Sequence, residues 1–309
     1  MTNSASSTIE RAVGLRLRRR NRDVAGRLVE FGALGLLLLT LGVLVLLIAD
    51  IARAGMPVLT ERGSDFLNAP LSSLPQRAGI YQGIVGSLLT MVFVVIVAFP
   101  LGIAAAIYLE EYAPDTRLTR LITVNVRNLA GVPSIVYGLL GLIAFVTVLQ
   151  GLTGGASIIS AGLTLAILVL PIVIITTSEA LRAVPSSIRE AAYGVGASQW
   201  QVVRHHVLPA ATPGILTGTV LSLSRAMGET APLLLVGAVT GFLATGHQPI
   251  LEQLRGPFTS LPTIVFAWAR LPNADFRALT SAAILVLLAV ILLANSIAIY
   301  MRNRYERRW

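Results

Sequence analysis

The sequence predicts an all-α integral membrane protein with six transmembrane helices. Three observations carry this expectation. The chain of 309 residues is 55% hydrophobic and only 13% charged, whereas a soluble domain carries about a quarter charged residues. Its mean hydropathy is +0.77. Uncharged runs recur at the length a bilayer demands, about 20 helical residues each.

Residues 1–27 read as a polar tail, with Arg16, Arg18, Arg19, Arg20 and Arg22 clustered ahead of the first apolar run. Phe31 to Ala49 is uncharged and forms the first span. Its apolar stretch exceeds the roughly 7–15 residues of a signal-peptide core, so it reads as a retained helix. An outer loop with Pro57, Pro70 and Pro75 completes a 28–80 segment. Gly83 to Leu109 makes the second span, with Pro100 as an expected kink.

No charge interrupts Asn128 to Ser178, which is too long for one crossing. The glycine-rich Gln150 to Ser157 divides it into a third span containing GVPSIVYG and a fourth containing Pro171. A fifth span is expected from about Gly214 to Gly241 and a sixth from about Ala278 to Met301. Between these two, Ile264 to Ala269 is too short to cross, and Phe266 and Trp268 suggest an interfacial or re-entrant piece.

Charge sets the orientation. The net charge is +9, and all 24 basic residues are Arg. Seventeen of them fall in the two tails and the loops sharing their side, against six in the two outer loops. The positive-inside rule therefore places both termini in the cytoplasm and predicts a multi-pass protein of the bacterial inner membrane. The lipid bilayer, not nucleic acid, is the partner of this basic surplus. There is no cysteine, which excludes disulfides and thiolate chemistry. The chain lacks HExxH, and its histidines are His205, His206 and His247. Adjacent His205 and His206 do not share a helix face, so no metal site is expected.

Pro185 to Pro213 is the long amphipathic segment between apolar spans. Ser187 and Glu190 have capping-box spacing and are expected to start one short helix. Gly194 and Gly196 are expected to end it, Ser198 to cap a second helix, and Pro209 to close that one. Trp200, Val203 and Val207 are spaced to share one apolar face, which on the water side of a membrane protein suits a groove in a partner.

In the fifth span, Arg225 and Glu229 stand four residues apart inside an apolar stretch. Counting about 1.5 Å per residue from Gly214 puts Arg225 about 16 Å deep. Ionisable groups at that depth face a bundle interior or a wet cavity. Two readings follow: a substrate path, or an ion pair that only fixes packing. Ala226, Gly228 and Ala231 beside the pair are expected to permit close helix approach.

Three motifs carry a resemblance. Glu190-Ala191-Ala192, Gly196 and Leu208-Pro209 resemble the EAA loop of ABC-importer permeases, with His206 where that pattern has Ile. GVPSIVYG and SRAMGETAPLLLVGA resemble the PstA-type permeases of phosphate ABC importers, and the similarity extends over roughly Tyr81 to Asn295. The resemblance implies a type I ABC-importer architecture over 81–296, with a coupling loop at 185–213 and residues 297–309 as the end of the last helix and a cytoplasmic tail. It implies a permease moving inorganic phosphate, partnered by a homologous permease subunit, two ATP-binding subunits and an extracytoplasmic phosphate-binding protein. No GxxxxGK[ST] occurs, so no cofactor is expected in this chain and ATP is expected on the partners. No catalytic residue is expected. A permease for molybdate or sulfate, and an ATP-independent secondary transporter, remain the alternatives.

Overall fold

The computed structural model describes residues 24–238 and 254–305, which form helices and connecting loops with no strand among them. The Arg-rich tail, the expected end of the fifth span at Gly241, His247 and the last four residues lie outside the described residues. Five helices are long and apolar enough to cross a membrane, and a bent helix pair makes six.

The chain divides into two compact units, Met1–Arg53 and Ala54–Trp309. The first contains most of α1 (Val24–Asn68), whose residues 26–50 are exposed on every side. A helix apolar all round with no protein cover is one that lipid can solvate. α1 extends far beyond its apolar run, because Pro57 does not break it and a true discontinuity comes only at Gly63 (φ 25°).

The second unit begins with the end of α1 and a short loop, then α2 (Tyr81–Ile107), which continues as a π-helical turn Tyr108–Tyr112. Pro100 lies within α2. α3 (Arg117–Ala130) follows where the sequence suggests only a charged loop. Thr116 caps it through the Thr119 amide, and the Arg120 guanidinium holds the neighbouring Asp115 carboxyl below its ordinary value. At Gly131 to Pro133 the chain turns by 100° into α4 (Ser134–Gly141), which runs on as a π-helical stretch Leu142–Val148. The third span is therefore broken, with Pro133 excluding a continuous helix. The Tyr137 hydroxyl donates to the Leu129 carbonyl at 2.8 Å, clipping the two arms together.

Gly154 and Gly155, both at positive φ, make the tight turn into α5 (Ile158–Arg182). This is the most buried of the membrane-length helices, and it packs on α2, α3 and α4. Close approach needs small residues here: a Cβ on Gly102 of α2 would stand 2.7 Å from the Val173 side chain of α5. α6 (Ser186–Gly194) and α7 (Gln199–Val202) form a helical hairpin. α7 passes through a π-helical turn, Val203–Val207, into α8 (Leu208–Gly228). A short α9 (Ala231–Leu235) precedes α10 (Leu261–Trp268) and α11 (Ala274–Tyr305).

α10 is the short apolar piece expected between the last two spans, and Leu261, Ile264 and Trp268 are buried in a cluster with Phe66, Ile80 and Phe276. Phe266 is exposed, with the Arg270 guanidinium over its ring at 4.0 Å.

Candidate substrate path and coupling loop

The hairpin that begins at Pro185 starts without the expected capping box. Pro185 itself occupies the cap position with extended backbone, and no side chain caps the helix. Val184, preceding a proline, is biased against helical geometry, so α6 begins directly after the ring with Ser187 already inside it. The other end agrees with expectation. The Ala197 amide donates to Ala192 and the Gly196 amide to Tyr193, with Gly196 at φ +84°. This is the Schellman arrangement, in which glycine takes the left-handed position at least cost. Ser198 then caps α7, forming a reciprocal box with Gln201.

Pro209 does not close the second helix. It lies in the first turn of α8, and the helix runs on into the membrane. The π-helical turn just before it relaxes the ladder where a proline would otherwise clash with the carbonyl four residues back. The same turn answers the departure at His206. The extra residue rotates the helix so that Val207 is buried and His206 is exposed. Val202, Val203 and Val207 all face inward, and Val202 and Val207 join Leu181, Val184 and Ala192 in one cluster. Trp200 does not join them; it is 55% exposed. The outward apolar surface of the hairpin is instead Tyr193, Val195 and Trp200, with Glu190, Ala191 and Gly196 exposed around it. Leu208 is half-buried and Pro209 exposed.

The charged pair also forms, but not within a helix. α8 ends at Gly228, and Glu229 has extended backbone (φ −76°, ψ 122°). Pro232 has no N–H to offer the Gly228 carbonyl, which removes the hydrogen bond that would continue the helix. The expected fifth span thus breaks at the acidic residue. Across the break Arg225 Nε stands 3.5 Å from Glu229 Oε1, with the side chains 45% and 17% exposed. Among the described residues the Arg225 guanidinium makes this ion pair and no hydrogen bond. Next to it, the Ser224 hydroxyl bonds Asn295 of α11 at 2.6 Å. Ala226 is buried, but a Cβ on Gly228 would meet nothing within 4 Å, so Gly228 is not a close-packing position.

The two motifs remote in sequence meet here. α9 packs on α4, and a Cβ on Gly138 would stand 2.8 Å from the Pro232 Cα. Tyr137, Ala226, Met227 and Leu233 share one buried cluster. One cationic fork therefore sits at a helix break, walled by the turn from GVPSIVYG. Among the described residues no group of His, Cys, Asp or Glu is arranged to hold a metal ion.

Residues 98–308 match the family described as the binding-protein-dependent transport system inner membrane component. The phosphate transport system permease protein PstA of Yersinia pestis is 36% identical over 220 residues, covering 71% of this chain and 71% of that protein. The chain belongs to this permease family, in its PstA branch. PstA 1 of Mycobacterium tuberculosis (strain H37Rv) is 34% identical over 239 residues, 76% of this chain and 74% of that one. Among solved structures, a bacterial alginate ABC transporter superposes with TM-score 0.63 over 88% of this chain and 94% of its own at 14% identity. The inward-facing MetNI methionine transporter gives TM-score 0.57 over 76% of this chain and 100% of its own at 18% identity. At those identities the likeness concerns the fold, and it is that of type I ABC-importer permeases. The PstA-branch permease is thus a multi-pass inner-membrane transport subunit.

The ion pairs that hold the hairpin to the membrane helices were not visible from the sequence. Glu110 and Glu111, on the π-helical turn ending the second span, meet Arg182 and Arg189 across 72 and 78 residues of chain.

Proposed function

We propose that the chain is the permease subunit of an ATP-driven importer that moves inorganic phosphate into the cell. The observation that carries this is the Arg225 guanidinium, paired with Glu229 at the break after α8 and beside the Tyr137 turn. Phosphate carries one to two negative charges near neutral pH and enters a low-dielectric passage only against a positive partner or donors. Arg supplies a permanent charge and a planar fork suited to oxyanions. Glu229, on its flank, shares that charge and keeps the anion from being held too tightly. This support is physical, and phosphate as the anion is carried over from the PstA relatives.

The partners complete the machine: a homologous permease subunit, two ATP-binding subunits and an extracytoplasmic phosphate-binding protein. The hairpin tip, with Glu190, Ala191, Ala192 at its base and Tyr193, Val195 and Trp200 outward, is the surface offered to the ATPase. Both termini lie in the cytoplasm on this reading, and ATP is bound and hydrolysed on the partners. Reconstitution of the assembled complex in vesicles tests it. Labelled phosphate should accumulate in an ATP-dependent way, and excess sulfate or molybdate should compete poorly; effective competition by either would reassign the substrate.

A further inference from the structure

The end of the second span makes polar contacts in three directions. Glu110 takes a two-pronged bond from Arg182, Nε to Oε2 at 2.7 Å and Nη2 to Oε1 at 2.8 Å. Arg182 is the last residue of α5. Glu111 takes a second fork from Arg189 of α6, with Nη2 to Oε1 at 2.7 Å and Nε to Oε2 at 3.3 Å. The Glu111 carbonyl accepts a further bond from the Gln199 side chain at the start of α7. One dipeptide thus grips the fourth span and both hairpin helices.

The Arg189 fork does more than pair. Its Nη1 donates to the Val184 carbonyl at 2.8 Å and its Nη2 to the Leu181 carbonyl at 2.9 Å. These carbonyls lie in and just beyond the last turn of α5, where acceptors lack helical partners. The Glu111 side chain is only 7% exposed. A carboxylate that buried persists only when paired and hydrogen-bonded, and here it is. The π-helical turn Tyr108–Tyr112 widens the helix just where it must present two successive acids to two different elements.

We infer that the Glu110–Glu111 clamp is the rigid joint through which movement of the hairpin reaches the second span, with Glu111 and Arg189 as its positioning residues. The proposal rests on the hairpin docking to an ATPase. Force applied at Tyr193 or Trp200 acts on a hairpin that the valine cluster seats against α5 and α8. The clamp adds a polar, geometrically fixed link to the end of α2, which in turn packs on α5. Without it, the hairpin would still be packed but would rock relative to α2, and ATP hydrolysis would be spent without transport.

The test uses the absence of native cysteine. In the full complex, Glu111→Cys with Arg189→Cys removes both members of the buried pair, so neither charge is left stranded. Phosphate transported per ATP hydrolysed should fall by about five-fold or more, the scale of a typical coupling energy. A short bifunctional thiol reagent joining the two positions should restore the ratio. Glu110→Gln, whose partner Arg182 is half exposed, guards against misfolding of the double variant and should lower the same ratio about two-fold. A merely structural role would reduce assembled complex and leave the ratio unchanged. An unchanged ratio in both variants, or a cross-linked complex that stays uncoupled, would overturn the clamp. A wild-type complex that neither hydrolyses ATP nor takes up phosphate would instead overturn the functional reading beneath it.

Discussion

Arg225 and Glu229 pair across the end of a helix, not along it. Their separation of four residues is the one at which helical side chains meet, yet Glu229 has left helical geometry and still brings Oε1 within 3.5 Å of Nε. A pair within a helix would sit on one closed face. A pair at a break lies beside the last carbonyls of α8, acceptors that favour the Arg225 cation. On the proposed reading, this is where an oxyanion meets the Arg225 guanidinium.

Arg225→Gln should therefore abolish phosphate uptake while membrane insertion and complex assembly persist. Glu229→Gln should impair uptake by altering binding or release. If the pair only fixed packing, both single variants would lose assembled complex, and exchanging the two charges would rescue it. Uptake in vesicles, with assembled complex quantified beside it, separates the outcomes. Normal uptake by Arg225→Gln would remove Arg225 from the path.

Gly138 and Gly228 should respond oppositely to the same change. A Cβ at Gly138 presses on the Pro232 backbone, whereas one at Gly228 meets nothing. Gly138→Ala should cost about 1–3 kcal/mol as an overpacked contact, while Gly228→Ala should be tolerated. Thermal unfolding of the purified chain in detergent checks both, and equal losses would contradict the α4–α9 packing.

Gly196 has open space around it and a φ of +84°. Substitution is thus penalised by the backbone and not by crowding, at about 1–2 kcal/mol for a residue with a Cβ in the left-handed region. Gly196→Asp adds a charge at the hairpin tip. It should abolish association with the ATPase, or stimulation of it, with membrane insertion unaffected. Full ATP-driven transport by this variant would exclude the tip from coupling.

Orientation follows from the Arg asymmetry. A reporter active only outside the cytoplasm, fused to Trp309, should give no signal. Strong signal would invert the assignment.

The long apolar spans, the glycine turn at Gly154 and Gly155 and the Ser198 cap were legible because each depends on local composition or a local backbone need. The 100° bend at Gly131 to Pro133 was hidden by an uncharged run that reads as one span. α3 was hidden for the opposite reason: its Arg residues read as loop, although its apolar positions recur at helical spacing. In the site, Arg225 and Glu229 were readable as charges out of place. The break between them was not, since the cause is the missing amide of Pro232 three residues on. The Glu111–Arg189 pair joins residues 78 apart, a distance at which no periodicity reports.

The faces of α7 give the last prediction. The spacing of Trp200, Val203 and Val207 suggested a single apolar surface, but the π-helical turn divides it: the valines are fully buried, and Trp200 is 55% exposed beside Tyr193 and Val195. These two halves should fail differently. Val203→Ala removes buried methyl groups and should destabilise the chain itself by about 0.5–3 kcal/mol, wherever the ATPase is. Trp200→Ala leaves the core intact and should cost little stability. Exposed aromatic anchors are the residues whose truncation most weakens interfaces, by about 2 kcal/mol or more. Trp200→Ala should then weaken capture of the ATP-binding subunit about thirty-fold while the thermal midpoint of the isolated chain stays put. Titrating purified ATPase against the chain in nanodiscs reads the first quantity, and thermal unfolding reads the second. Unchanged affinity with Trp200 removed would mean that the tip surface is not the docking face.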